Sequence, residues 1–357
     1  MLEYIANRLN DYNVSSFVNE LAIASKNLGI LETKIDSYRF NAILIPMLQK
    51  KEAISSMYIE GTQTTITDVL KSEINPQPDS DKLRIEVKNH TRALAFGAEY
   101  LRSGNFTHTF IKQIHEYMMQ DIIAPGLENT LGKYKLKDNQ IKSSTGVVVY
   151  TPPAASETKK YMDELISFMN STDDTIHPLI KAAMIHSQFE SIHPFSDGNG
   201  RIGRVLISLY LYKANVINFP FFYISEAINM DKSVYYRMLT DSRTNSLDAW
   251  IKYFLYKVSV QTTKHIGYID ALNELYNKTK NIVKECINSP KFDEIIECLF
   301  THPLLTAPIL EDLLSVSHGQ AVRYLNILEE KHVLISDDRK RGKTFFFAEL
   351  IDLARGA

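Results

Sequence analysis

The sequence predicts a mainly α-helical protein that carries small β-hairpins. Apolar residues recur at helical spacing over several long segments. The clearest are FIKQIHEYMMQDII (110–123), PLIKAAMIHSQFESI (178–192) and SLDAWIKYFLYKVSV (246–260). Runs rich in β-forming residues are short by comparison, and each is flanked by turn residues. They are VVVY (147–150), VLIS (333–336) and TFFFA (344–348). The strands should therefore form hairpins on a helical framework.

Composition limits the class of protein. Its 357 residues are 45% hydrophobic with a formal charge of −2, which is typical of a globular protein and not of a polyanion binder or a disordered tail. Two cysteines are too few for a disulfide framework. The N-terminal residues lack an export pattern, and the longest apolar run, near VLISLYLY, is far below membrane length. We expect a cytoplasmic protein without membrane contact.

A chain of this length should contain more than one core. We divide it into an N-terminal helical region (1–99), a central core region (100–263), a connecting helix or linker (264–290) and a C-terminal domain (291–357).

The segment HPFSDGNGRIGR, from His193 to Arg204, carries the strongest chemical signal. Pro194 discourages helix at His193, and glycines follow in the loop, so a new helix should begin near Asn199. A helix start preceded by glycines presents unpaired N–H groups and a positive dipole end, which together bind phosphate. The segment therefore predicts an anion site.

Charged residues around this loop extend the prediction. Arg201 and Arg204 lie on one face of the first helical turn and offer planar donors to phosphate oxygens. Asp197 would repel phosphate unless a divalent cation bridged the two, and Mg²⁺ suits that role. His193 is the group at the loop entrance that can accept a proton near neutral pH.

These twelve residues resemble the signature of the Fic family, HxFx(D/E)GNGRxxR, at every fixed position. The resemblance extends from about Met47 through Phe254 and implies a Fic-type helical core. It also implies transfer of AMP from ATP to a hydroxyl side chain (Ser, Thr or Tyr) of a target protein. In the family the histidine deprotonates the hydroxyl, the acidic residue holds Mg²⁺, and the phenylalanine anchors the loop. Here these are His193, Asp197 and Phe195. The implied ATP ligands are Gly198, Asn199, Gly200, Arg201 and Arg204.

A second motif, SSMYIEGT (55–62), lies far upstream. Ser56 and Glu60 share a helical face, and Gly61 can end that helix. The segment resembles the inhibitory motif (S/T)xxxE(G/N) of the Fic family, whose glutamate pairs with the second arginine of the signature, here Arg204. The resemblance implies autoinhibition. The same glutamate in the family can also orient a water that removes AMP from a target, and the sequence leaves both roles open.

A third element, GKYKLKDNQIKSSTGVVVYTPP (132–153), predicts a two-stranded hairpin with Ile141 in its first strand. It resembles the family's flap, which binds the target segment by adding a strand to its edge. The alternative is a hairpin that only covers the core.

The C-terminal domain predicts three helices followed by a hairpin, which is the arrangement of a winged helix-turn-helix. DNA contact by 291–357 is one interpretation, and a packing or dimerisation module is the other. The wing carries Arg339, Lys340, Arg341 and Lys343 beside Asp337 and Asp338, so its net positive charge is small.

Two functional classes therefore stay open. The first is an autoinhibited protein AMP-transferase, with self-modification as one outcome and a homodimer implied by the resemblance. The second is a DNA-binding regulator whose nucleotide site binds ATP or modifies the chain itself. We assign His115 to a structural role, and Tyr235, Tyr236 and Trp250 to the core and not to ligand stacking.

Overall fold

The computed structural model describes residues 2–37, 41–74, 78–142, 145–172, 175–220, 222–337, 339 and 342–356. Helices dominate, as the sequence predicts. In the first 170 residues the longer elements are α1 (Val18–Ser37), α2 (Asn41–Ile59), α3 (Ile66–Ile74), α4 (Pro78–Leu101), α5 (His108–Met119), β1 (Ile141–Lys142), β2 (Val148–Tyr150) and α6 (Thr158–Met169). Then follow α7 (Pro178–Ile192), α8 (Asn199–Lys213), α9 (Ser225–Asn229), α10 (Lys232–Asp241) and α11 (Asp248–Cys286). The C-terminal elements are α12 (Phe292–Thr301), β3 (Leu304–Leu305), α13 (Ala307–Leu314), α14 (His318–Glu330), β4 (Ile335–Ser336), β5 (Phe345–Phe346) and α15 (Ala348–Arg355).

The chain forms two compact units, each built from separated segments. The first contains residues 1–33, 52–63 and 85–263, and the second contains residues 34–51, 64–84 and 264–357. The first unit therefore contains the C-terminal turns of α2 and the whole segment from α5 to α10.

Helix α7 lies at the centre of the first unit. The sequence predicts one buried face for this helix, but every residue from Leu179 to Ile192 is buried. A helix enclosed on all sides must satisfy its polar side chains internally. His186 accordingly lies 2.8 Å from the Tyr235 hydroxyl, and the Trp250 indole donates to the Ala183 carbonyl at 2.8 Å.

Two short antiparallel sheets are present in the described residues. Strand β1 pairs with β2, with Ile141 opposite Tyr150 and Lys142 opposite Val148, which confirms the predicted hairpin. Residues 143 and 144 of its turn lie outside the described residues.

The C-terminal strands form a sheet in the order β3-β5-β4. The predicted helices and hairpin are present as α12, α13, α14, β4 and β5. Strand β3 and helix α15 are additional elements that the sequence interpretation missed. A two-residue strand has no periodicity to detect, and Leu304 and Leu305 form one only because β5 lies beside them.

Close packing of α4 against α8 depends on Gly97. A Cβ built on Gly97 would lie 2.7 Å from both methyl carbons of Leu209 and 3.3 Å from Ile114. A side chain at this position would overpack a buried contact between helices.

We predict that Gly97→Ala lowers the free energy of unfolding by about 1–3 kcal/mol because of this overpacking. Gly29 is the matched control, since it lies in α1 and a Cβ there would meet no described atom within 4 Å. Gly29→Ala should be neutral or stabilise by about 0.5–1 kcal/mol. Denaturant unfolding of both variants tests the pair. Equal stabilities would show that Gly97 is not needed for helix approach.

Candidate functional site

The loop between α7 and α8 carries the signature residues. His193 ends α7 in the left-handed conformation, with φ 48°, and its N–H bonds to the Phe189 carbonyl at 3.0 Å. Gly198, with φ 80°, precedes Asn199, where α8 begins. A Cβ on Gly198 would lie 2.5 Å from the Met119 sulfur, so both backbone angle and space favour glycine. The predicted helix start near Asn199 is confirmed.

The loop is fixed from inside by Phe195 and Asn199. Phe195 is fully buried and its ring stacks on His115, with centroids 4.0 Å apart. Asn199 accepts from the Phe195 N–H and donates to its carbonyl, both at 2.8 Å. The Asn199 side chain thus shapes the loop in this structure, and its contact with phosphate stays a prediction.

His115 holds the same loop from α5. Its Nδ1 lies 3.0 Å from the donating Gly132 N–H, and its Nε2 lies 3.1 Å from the Asp197 carbonyl oxygen. Nδ1 is therefore the acceptor and Nε2 the donor, so the ring is neutral. Burial lowers the pKa of His115 to about 4, in agreement with that state. The structural role predicted for His115 is confirmed, but its bond to the signature loop could not be foreseen from the sequence.

Asp197 lies at the mouth of the loop. Its carboxylate accepts from the Gly198 N–H at 2.6 Å and from the Ala124 N–H at 3.1 Å. Arg201 lies 3.5 Å from Asp197 and 3.8 Å from Glu86, and its buried Nε has no partner among the described residues. One N–H of Arg201 is therefore left without a partner in this part of the chain. Glu86 is a neighbour that sequence reasoning missed.

Arg204 is almost completely buried, and the predicted pair with Glu60 is present at 2.7 Å. The guanidinium donates to the Ser56 hydroxyl from Nε at 3.1 Å and from Nη2 at 2.9 Å. Nη2 also donates to the Ser56 carbonyl at 3.1 Å. Residues of the two motifs, far apart in sequence, thus form one hydrogen-bond network.

The Glu60 carboxylate lies over the first turn of α8. A Cβ on Gly200 would be 2.5 Å from Glu60 Oε1, so glycine leaves the room that the carboxylate occupies. Partial burial alone would raise the pKa of Glu60, but the charge and hydrogen bond of Arg204 outweigh it and lower the pKa. Glu60 is an anion at neutral pH, at a helix start that attracts anions.

The end of α2 is fixed before it delivers Glu60. Gly61 has φ 98°, its N–H bonds to the Tyr58 carbonyl, and the Thr62 N–H bonds to the Met57 carbonyl, both at 3.1 Å. This pair of bonds is the Schellman arrangement at a helix C-terminus. The prediction that Gly61 ends the helix is confirmed.

Side chains of α9 and α10 bond to the remaining carbonyls of α2. Asn229 donates to Ser55 at 2.7 Å, and the Tyr236 hydroxyl donates to Ile59 at 3.3 Å. Tyr235 and Trp250 are core residues, as predicted, but Tyr236 is 44% exposed and that part of the prediction is wrong. The sequence does not distinguish Tyr236 from its buried neighbour Tyr235, whereas in the structure the Tyr236 hydroxyl bonds at the end of α2.

The electrostatic surroundings of His193 favour a neutral ring. Burial lowers the pKa of His193 to about 4, and the positive charges of Lys135 and Arg243 act in the same direction. Its Nδ1 is buried without a hydrogen-bond partner among the described residues. The imidazole can therefore accept a proton at neutral pH.

Glu190 is a buried carboxyl one turn before His193 that sequence reasoning missed. It is 6% exposed, and its Oε1 has no partner in the described part of the chain. A Cβ on Gly203 would lie 2.4 Å from that oxygen, so Glu190 packs directly against α8. Burial raises its pKa to about 7, although Arg204 opposes the shift.

Sequence comparisons place this geometry in a known family. The Fic/DOC family profile matches residues 105–211, and the N-terminal profile of the same family matches residues 18–99. Together these matches cover more than half of the chain. The chain belongs to the Fic/DOC family.

Relatives and solved structures agree with that assignment. A probable protein adenylyltransferase of Aquifex aeolicus is 23% identical over 74% of this chain and 76% of its own length. A protein adenylyltransferase Fic of Nematostella vectensis is 25% identical over 61% of this chain, which spans 55% of that relative. A Fic family protein from Desulfovibrio desulfuricans superposes with a TM-score of 0.58 at 19% identity, covering 94% of this chain and 97% of the other. This last likeness shows the fold.

Two features are absent from the part of the chain that the structure describes. No helix there is long and apolar enough to span a bilayer. No group of three or more His, Cys, Asp or Glu side chains there is arranged to hold a metal ion.

We predict a pH signature for Glu190. Its carboxyl gains a proton on folding between its ordinary pKa near 4.5 and its raised pKa near 7, so its stabilising contribution is lost as pH rises through 7. Glu190→Gln stays neutral throughout. Relative to wild type, this variant should gain about 2 kcal/mol of unfolding free energy between pH 5.5 and pH 7.5. Denaturant unfolding at both pH values measures the difference, and a pH-independent difference would contradict a raised pKa.

Proposed function

We propose that this chain is a protein adenylyltransferase that transfers AMP from ATP to a hydroxyl side chain of a protein and is held inactive by Glu60. The observation that carries the proposal is the ion pair of Glu60 with Arg204 over the start of α8. A carboxylate occupies the place where the signature predicts phosphate, within a chain of the Fic/DOC family.

In the proposed reaction, His193 is the general base. The target hydroxyl loses its proton to His193 while its oxygen attacks the α-phosphorus, forming the new phosphoester bond. The bond between the α-phosphorus and the bridging oxygen breaks, and pyrophosphate leaves with the electron pair. The neutral state of the His193 ring at neutral pH is compatible with this role, because a neutral imidazole has a nitrogen lone pair that can accept the proton. General base help contributes about 10²- to 10⁴-fold, and positioning and charge stabilisation supply much of the rest.

The phosphate chain lies along the start of α8 in this proposal. The backbone N–H group at Gly200 faces the oxygens, with Asn199 and Arg201 beside it, and Arg204 binds the β/γ end. Gly198 lies beside the phosphates at the start of the same turn, with its N–H bonded to Asp197. The unpartnered Nε of Arg201 supports this placement. Each of these contacts replaces water by a fixed donor.

Asp197 fits the magnesium that the family implies. Mg²⁺ takes one or two carboxylates and completes its shell with phosphate oxygens and water, so a single protein carboxylate suffices. Backbone N–H groups of Gly198 and Ala124 orient the Asp197 carboxylate, which supports a preformed ligand. When bound there, the ion would neutralise charge on the phosphates.

Glu60 inhibits by competing for Arg204. While the carboxylate holds the guanidinium, the γ-phosphate has no counter-charge at that position, and the α-phosphate is not presented for attack. The charge-assisted bond, at about 1.5–3 kcal/mol, corresponds to roughly 10- to 150-fold in the competing contact.

The target protein would bind along the flap formed by β1 and β2. Val147 lies just before β2 and is 63% exposed, and Val149 lies in β2 and is 46% exposed. Apolar side chains of this hairpin therefore face solvent. An added strand pairs through its main chain and can bring a Ser, Thr or Tyr hydroxyl to the site regardless of sequence. Ile141 begins β1 and would contact that strand. Another copy of the chain, or the chain itself, is also a substrate in this proposal.

The C-terminal elements favour a packing role over DNA contact. Their order is that of a winged helix, but Lys343 lies 2.8 Å from Glu329 and Arg339 lies 3.6 Å from Asp337. These cations already face carboxylates, so they add little positive potential for a phosphate backbone. Lys340 and Arg341 lie outside the described residues. We infer a packing or homodimer contact for 291–357 and localisation in the cytoplasm.

We predict that Glu60→Gly raises AMP transfer by about 10- to 150-fold, because Arg204 becomes available to ATP. Incubation with Mg²⁺ and ATP labelled in the α-phosphate measures label on the protein, and mass spectrometry identifies the group. The variant should also melt at a lower temperature without nucleotide and gain more on adding ATP, since its buried guanidinium then finds an anion.

Glu60→Gln and the double variant Glu60→Gly/His193→Ala are the controls. The glutamine keeps the size of the side chain without its charge and should give intermediate transfer. The double variant should bind ATP without transferring label. Equal labelling of wild type and Glu60→Gly would refute autoinhibition, and label loss from a modified target only when Glu60 is present would favour AMP removal.

The DNA-binding alternative has its own test. A shift of duplex DNA that weakens with added salt, together with no label transfer by Glu60→Gly, would support a DNA-binding regulator.

A further inference from the structure

Lys135 is a buried cation on the segment that leads into the flap, and it donates hydrogen bonds to the loop that carries His193. It is 2% exposed, although Lys133 and Lys137 on either side are exposed. Its Nζ donates to the Ile192 carbonyl at 3.2 Å, and its backbone N–H donates to the Pro194 carbonyl at 2.8 Å. A lysine is rarely buried unless its charge has such partners.

Asn139 completes this arrangement. Its Nδ2 donates to the His193 carbonyl and to the Phe195 carbonyl, both at 3.1 Å. Its Oδ1 accepts from Lys135 Nζ at 2.7 Å, so the two side chains also hold each other. The carbonyls of four consecutive residues, 192 to 195, are therefore all bonded to this pair.

This bonding matters because His193 has a conformation that non-glycine residues disfavour, with φ 48°. A left-handed residue between two helices persists only where its surroundings hold it. The backbone carbonyl before His193, its own carbonyl and the two that follow are all bonded by donors from outside the loop. The position of the imidazole thus depends on Lys135 and Asn139.

We propose that Lys135 and Asn139 are positioning residues that hold His193 for proton transfer and join the base to the target-binding flap. The inference rests on the proposed AMP transfer. Asn139 lies two residues before Ile141, where β1 begins. A target strand that pairs with the flap therefore binds to the same segment that sets the base.

Charge adds a second contribution from Lys135. Burial lowers the pKa of Lys135 to about 8, so it remains mostly protonated at pH 7. Burial is the main cause of the lowered pKa of His193, and the charges of Lys135 and Arg243 lower it further. Glu60 and a hydrogen bond to the Glu190 backbone act in the opposite direction. Loss of the Lys135 charge should raise the pKa of His193.

The test uses Lys135→Met and Asn139→Ala in the Glu60→Gly protein, with Lys137→Met as the exposed control on the same segment. We call Lys135→Met and Asn139→Ala the clamp variants. Both should lower the rate of self-labelling by up to about 100-fold, the loss that misplacement of a catalytic group causes. ATP affinity, measured by titration with Mg²⁺, should not change. Lys135→Arg keeps charge and donors and should restore most of the rate.

A histidine NMR titration gives a readout that does not require activity. The His193 signal, identified by its loss in His193→Gln, should titrate at higher pH in Lys135→Met than in Lys137→Met. The acid limb of the rate profile should move the same way. Absence of label on the Glu60→Gly protein would contradict the proposed function, and the NMR comparison would still test whether Lys135 and Asn139 position His193. The positioning role would be overturned by folded clamp variants with an unchanged rate, or by an unchanged His193 titration in Lys135→Met.

Discussion

The buried guanidinium of Arg204 is the constraint on which this site depends. A charge removed from water requires an anion and hydrogen-bond acceptors, or the folded state is destabilised. Ser56 supplies two acceptors and Glu60 supplies the anion. Because Arg204 lies on the first turns of α8, the same charge is available to a phosphate at the helix start. In the proposed mechanism, resting and active states therefore differ in which anion fills one position.

The packing of the first unit favours a local form of the proposed exchange. The end of α2 is closed by Gly61 and bonded by Asn229 and Tyr236, so we expect only the carboxylate arm of Glu60 to move. Its side chain is 37% exposed while that of Arg204 is 2% exposed. The cation is therefore enclosed, and the anion proposed to compete with ATP has a path to solvent.

Some of this could be predicted from sequence, for physical reasons that differ between residues. Short motifs with local geometry predict the loop before Asn199 and the end of α2 at Gly61. The family pattern names the partner of Glu60, which is Arg204. Lys135 and Glu190 could not be found in this way. Nothing in the alternation of Lys133, Lys135 and Lys137 marks the middle residue as buried, because its burial depends on packing against α7.

Two features of the site are set by different parts of the chain. The proposed phosphate position at α8 is contacted by Glu60 from α2, whereas the backbone of His193 is bonded by the segment entering the flap. Removing Glu60 should change the anion at Arg204 but leave the bonds of Lys135 and Asn139 intact. In the proposed mechanism, inhibition therefore acts on how the nucleotide is seated and not on whether a base is present. On that proposal the base needs no change of position on activation, which requires only the exchange of one anion.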